Sequence, residues 1–202
     1  MTADVVRLLH EYEPAVIGIG ASAGAIDALG RLLPVLPPTL RAPLVVVVHV
    51  PPDWQSGLPA LLSANCSLPI AEAEDKVAAQ PGHVYFAPPN YHLLIERDGC
   101  LALSADEPVH FSRPSIDVLL ESVALGFGRR ALGILLSGAN ADGAAGMAAI
   151  KAHGGLTWVQ EPATARVATM PEAALRLADH QVLDPAAMGQ ALASWGYGTD
   201  GR

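Results

Sequence analysis

The feature that most constrains this chain is a set of apolar runs with no polar break. "LVVVV" at 44–48 is the plainest. A strand of this kind cannot alternate between a wet and a dry face, so it must be covered on both. "AVIGIG" at 15–20 and "ALGILL" at 131–136 read the same way, and each runs into helical spacing. The first helix covers 25–36 and stops at Pro37 and Pro38; the second runs from about 143 to 153 and closes at Gly154 and Gly155. Further strands are predicted at 156–160 and near Val182. Further helices are predicted at 58–64, after "SRPS" with Pro114 in the first turn, and from Pro171. Strands alternating with helices predict an α/β fold: a doubly wound, mostly parallel sheet with helices on both faces. Residues 80–104 break the rhythm. Short strands at 84–87, 93–96 and 101–104, with Arg97-Asp98-Gly99 as a turn, predict an antiparallel hairpin at one edge.

A chain of 202 residues, 51% hydrophobic and 16% charged, fits one well-buried core. The expected organisation is one folded domain over 14–195, a short polar extension over 1–13 and a loose tail over 196–202. The net charge of −8 excludes general nucleic-acid binding, which needs a basic footprint. Cys66 and Cys100 lack metal-ligand spacing; one disulfide is open, and two thiols in a reduced compartment is the expectation. The N-terminus has no basic segment followed by an apolar one, and no apolar run approaches the ~18 residues of a membrane helix. A cytoplasmic location is therefore expected.

The turn after the first strand has two readings. Gly18-Ile-Gly20-Ala-Ser-Ala23 fits the dinucleotide pattern G-x-G-x-x-A. That pattern needs an acidic residue at the end of the second strand, and no Asp or Glu lies between Asp27 and Asp53. Gly20-Ala-Ser22-Ala-Gly24 also fits G-x-S-x-G, a turn that exposes a nucleophilic hydroxyl at a helix N-terminus. The plain alternative is that Ser22 caps the helix.

A serine nucleophile needs a base, and the base needs an orienting acid. His49 directly follows "LVVVV", and Asp142 follows "LGILLSG" as the sole carboxylate between Glu121 and Glu161. In a doubly wound sheet the carboxyl ends of neighbouring strands meet at one crevice. Ser22, His49 and Asp142 thus end three strands on one edge. His49 could instead be a buried histidine near Pro51, and Asp142 a helix cap. The chain order Ser, His, Asp differs from that of α/β-hydrolases and argues against that fold. Backbone N–H groups of Ala23 and Ala139 are the candidate oxyanion donors. Arg113 and Asn140 are candidate substrate contacts, with a surface salt bridge as the alternative for Arg113. His83, His92 and His153 lack metal spacing and are read as structural or surface residues. Met147 and Met170 fit helical cores, and Trp54 could rim the crevice. No metal or cofactor is expected.

The segments "IGIGASAGAIDAL", "VVVVHVPP", "GHVYFAPPNYHLLIERDG", "FSRPSIDVLLESVA", "GILLSGANADGAAGM" and "MPEAAL" resemble, in that order, the catalytic domain of the CheB family of protein-glutamate methylesterases. The resemblance runs from about Val16 to Leu175. It implies hydrolysis of glutamate methyl esters on chemoreceptors, in some members also deamidation of receptor glutamines, with Ser22, His49 and Asp142 as the catalytic residues. It implies the cytoplasmic domain of a methylated chemoreceptor as partner. The family usually has threonine where this chain has Ala23, and T-G-M-G-x-D where it has Ser137-Gly138-Ala139-Asn140-Ala141-Asp142. These departures bear on the shape of the oxyanion pocket. The receiver domain of full-length members has no counterpart in residues 1–13, so a stand-alone esterase domain is expected, controlled by a separate response regulator or by none. The rival readings are a receptor-binding or signalling-protein-binding module without turnover, a nicotinamide-dependent domain, and an esterase of small molecules.

Overall fold

The computed structural model describes residues 2–49 and 57–197. In chain order these form α1 (Thr2–Tyr12), β1 (Val16–Ala21), α2 (Ala25–Leu32), β2 (Leu44–Val48), α3 (Leu58–Ser63), β3 (Ile70–Glu72), β4 (Val84–Phe86), β5 (His92–Ile95), β6 (Leu101–Ser104), α4 (Ile116–Phe127), β7 (Ala131–Leu135), α5 (Ala144–Ala152), β8 (Leu156–Gln160), α6 (Thr169–Leu177), β9 (Gln181–Leu183) and α7 (Pro185–Tyr197). Seven strands make one parallel sheet in the order β3-β4-β2-β1-β7-β8-β9. The expected α/β architecture is therefore present. The antiparallel hairpin is present too, but β5 and β6 form their own two-stranded sheet, which packs against α4. β4, predicted in the same irregular region, joins the main sheet beside β2.

Every residue of β1, β2, β7 and β8 is buried, as their unbroken apolar runs require. Alternate residues feed two cores. Ile17, Ile19, Val46 and Ile134 point to the face covered by α1, α2 and α7. Val16, Val45, Val47 and Leu135 point to the face covered by α4, α5 and α6. The glycines of β1 lie on this second face. A Cβ on Gly18 would stand 2.9 Å from Leu120 Cδ2, and one on Gly20 would overlap Ile116 Cγ2. The G-x-G of "VIGIGA" is thus explained by the close seat of α4, with no need for a phosphate.

Two expectations are corrected. Within the polar extension expected over 1–13, Thr2–Tyr12 instead form α1, an amphipathic helix whose Val5 and Leu9 are buried in the first core, against α7. Pro114 is not in the first turn of α4, because Ser115 is the N-cap and the helix begins at Ile116. Cys66 and Cys100 are free thiols, the first raised in pKa by burial. Trp54, Pro51 and residues 198–202 of the expected tail lie outside the described residues. No helix among the described residues is long and apolar enough to cross a membrane.

Candidate active site

β1 leads into α2 on one face of the sheet, and its neighbour β7 leads into α5 on the other. Connections that diverge in this way leave a crevice at the strand carboxyl ends. Ser22 and His49 stand there. The Ser22 N–H donates to Ser137 O at 2.9 Å, and the His49 N–H donates to Ala21 O at 3.2 Å, so both residues extend the sheet ladder by one step. Ser22, Gly24, Val48, His49, Leu58 and Arg166 line an open cleft of about 150 Å³. That volume is below the ~300–1,000 Å³ of pockets that enclose whole small ligands, and suits the tip of a side chain.

The helix-cap alternative for Ser22 fails. The N-cap of α2 is Gly24, at φ +90°, and no side chain caps that end. The Ser22 hydroxyl has no hydrogen-bond partner among the described residues, His49 included. Catalytic hydrogen bonds are often loose without substrate and tighten on binding. The N–H groups of Ala23 and Ala139 are likewise unpartnered among the described residues, on two exposed residues beside the cleft strands.

His49 Nε2 lies 2.7 Å from Asp142 Oδ2, with the imidazole mostly buried and the carboxylate fully so. Asp142 does not cap its own helix, whose N-cap is Gly143. It sits instead on the N-terminus of α4. Its Oδ1 accepts from Ser115 Oγ at 2.8 Å and from the Asp117 N–H at 3.0 Å, and its Oδ2 accepts from the Ile116 N–H at 2.7 Å. Burial pushes this carboxyl up, but the bonds from His49, from the Asp117 and Ile116 N–H groups and from Ser115 outweigh it and hold the pKa below its ordinary value. Asp142 is thus kept as an anion facing an imidazole. Asp117 shows the reverse. Burial, with the Asp142 charge nearby, raises its pKa although the Gly146 N–H donates to it at 2.7 Å. His110, Asp117 and Asp142 bring ligand-type atoms within 4.8 Å of one another. The four donors on Asp142 already fill its acceptor positions, so the cluster reads as a hydrogen-bond network.

Ser137 holds the serine turn in place. Its Oγ donates to Ala23 O at 2.6 Å and accepts from the Val167 N–H at 2.9 Å, while its own N–H donates to Gln160 Oε1 at 2.8 Å. Arg113 does not line the cleft. Its guanidinium grips Asn90 Oδ1, Ala105 O and Asp106 O, and it has no salt bridge among the described residues. Asn140 is turned to its own loop, where Oδ1 accepts from the Asp142 N–H at 3.2 Å. Both of these polar side chains are thus engaged by backbone or amide partners of their own neighbourhood. His83 and His153 are exposed or half-exposed beside local carbonyls, and Met147 and Met170 are buried in the second core. Ser115, Asp117, Ser137, Gln160 and the buried His92 are site residues that the sequence does not single out. The bonds that tie them into the site span 23 or more residues, with no local spacing to signal them.

Residues 17–192 match the family model described as CheB methylesterase. A Leptospira interrogans protein provisionally named a protein-glutamate methylesterase/protein-glutamine glutaminase is 46% identical over 164 residues, 81% of this chain and 84% of that protein. The protein-glutamate methylesterase FrzG of Myxococcus xanthus is 38% identical over 181 residues, 89% of this chain and 54% of FrzG. The crystal structure of the Thermotoga maritima CheB methylesterase catalytic domain superposes with a TM-score of 0.84 at 30% identity, covering 90% of this chain and 98% of that one.

Proposed function

The chain belongs to the CheB methylesterase family, and on that premise we propose that it is a serine hydrolase that removes methyl esters from glutamate side chains of chemoreceptors, and that it can also deamidate receptor glutamines. Ser22, His49 and Asp142 are its triad within a catalytic domain over 14–195. The observation that carries the reading is the 2.7 Å contact between His49 Nε2 and a buried, ionised Asp142, on the cleft that Ser22 lines. With Nε2 donating to Asp142, Nδ1 is the nitrogen left to take the Ser22 proton as Oγ attacks the ester carbonyl. The Ala23 and Ala139 N–H groups then stabilise the oxyanion. Backbone donors do not depend on side chains, so the alanines at these two positions leave the hole available. Methanol leaves, and water, deprotonated by His49, hydrolyses the acyl-enzyme. The small cleft supports a macromolecular ester presented on a side chain over an enclosed small molecule. The partner is the methylated cytoplasmic domain of a chemoreceptor, met in the cytoplasm, and a separate response regulator is a candidate controller.

The test is methanol release from methyl-labelled chemoreceptor cytoplasmic domains incubated with the purified chain. Release is expected. A folded chain that releases none from several receptors would favour a receptor-binding module without turnover.

A further inference from the structure

The geometry points to His92 as a positioning residue for the catalytic acid, acting through Ser115; the inference rests on the reading of Asp142 as the acid of the triad. His92 opens β5, in the hairpin outside the main sheet, and is 2% exposed. Both of its ring nitrogens are engaged. Nδ1 accepts from the Ser115 N–H at 3.1 Å, and Nε2 lies 3.1 Å from Glu107 O, a group that only accepts. Together these partners fix a neutral ring with its proton on Nε2.

Ser115 is the N-cap of α4, at φ −108° and ψ 140°, and is fully buried. An N-cap serine ordinarily accepts an N–H of its own first turn. Here Asp142 takes the Ile116 and Asp117 N–H groups, and no side-chain cap bond is made by Ser115 itself. Its hydroxyl donates to Asp142 Oδ1 at 2.8 Å instead. The result is a chain of hydrogen bonds from Glu107 O through His92, Ser115 and Asp142 to His49. Ser115 carries two of its links, one by its N–H and one by its hydroxyl. Held by His92 on one side, it fixes where Oδ1 sits, and through the rigid carboxylate where Oδ2 meets His49.

The position of the acceptor allows a sharp test. Asparagine at 92 places an amide oxygen near the place of Nδ1 and still accepts from Ser115. Glutamine reaches towards Glu107 with a donor but leaves the Ser115 N–H without an acceptor. With a glutamate γ-methyl ester peptide as substrate, His92→Gln is expected to lower kcat about tenfold with KM within about twofold, by analogy with the loss of about 10–100-fold when hydrogen-bond partners behind metal ligands are removed. His92→Asn is expected to stay within about threefold of the parent. Ser115→Ala should lose about tenfold, and the double variant His92→Gln/Ser115→Ala little more, because the two bonds lost lie in series on one path to Asp142. The second readout is the nuclear magnetic resonance of the His49 Nε2–H proton: moved in His92→Gln and Ser115→Ala, unmoved in His92→Asn. Equal losses in the Asn and Gln variants, additive losses in the double variant, an effect on KM alone, or an unmoved His49 proton would overturn the proposal. Should His92→Gln not fold, His92→Asn and Ser115→Ala still decide it. A chain that cleaves no ester would remove the proposed function, while the His49 resonance would still report whether His92 and Ser115 set the acid.

Discussion

His49 Nε2 and Asp142 Oδ2 are 93 residues apart in the chain and 2.7 Å apart in the fold. The contact fixes the imidazole tautomer, and only a carboxylate does so here. An asparagine in its place would set an amide N–H against one of the donors that Asp142 now accepts. Asp142→Asn is therefore expected to lower kcat about 10³–10⁴-fold with little change in KM, measured as methanol release from a methylated receptor fragment.

Asp142 and Asp117, which are hydrogen-bonded to one another through the Asp117 N–H, respond to pH in opposite senses. The Asp142 pKa is lowered in the fold, so its contribution to stability is present above the ordinary value of ~3.9 and fades as pH falls through the lower folded value. The Asp117 pKa is raised, so its ionisation removes stability as pH climbs from ~3.9 through the higher folded value. Urea unfolding at pH 7 is expected to find Asp142→Asn destabilised by about 2–4 kcal/mol. Asp117→Asn, which keeps an acceptor for Gly146, should be unchanged or more stable. At pH 3 the difference between the parent and Asp142→Asn should shrink.

Gly24 sets the serine turn. It has φ +90°, and a Cβ there would lie 2.7 Å from Ser137 Oγ and 2.8 Å from Arg166 Cβ. Gly24→Ala must strain the backbone and push on the Ser137 hydroxyl that donates to Ala23 O. A loss of about 1–3 kcal/mol is expected in thermal unfolding. At a temperature where the variant is folded, kcat should still be down at least about tenfold.

Leu9 is fully buried beneath α7, on the face of the sheet away from α4. Leu9→Ala is expected to cost about 2–5 kcal/mol in denaturant unfolding. Below its melting temperature it should retain the parent kcat and KM. The contrast with Gly24→Ala separates a residue that holds the fold from one that holds the site.

The parts legible in the sequence are those written in local pattern. Unbroken runs such as Leu44–Val48 give buried strands, and the crevice rule then brings Ser22, His49 and Asp142 to one edge. β3, with three residues and an exposed edge, has too little pattern to read, and α1 hides its apolar stripe of Val5 and Leu9 among polar neighbours. The network behind Asp142 is illegible for another reason. His92 lies on β5 and Ser115 and Asp117 at the start of α4, and Gly18 and Gly20 let α4 seat close on β1 with its first turn against Asp142. The same glycines suggest a dinucleotide turn when read locally, and only the tertiary contact gives them their use. Arg113 and Asn140 lie close in sequence to Ser115 and Asp142, and the sequence does not show which hydrogen-bond partners their side chains take.

The central claim is that Ser22, His49 and Asp142 act as one unit. Residues that do so lose nearly all of their rate when any key member goes, and little more when the others follow. The measurement is the rate of methanol release from a methylated receptor domain by the parent, by Ser22→Ala, and by Ser22→Ala/His49→Gln/Asp142→Asn. Ser22→Ala is expected to fall by several orders of magnitude and the triple variant to match it. A Ser22→Ala enzyme that keeps its rate, or a triple variant that falls far below it, would contradict the triad.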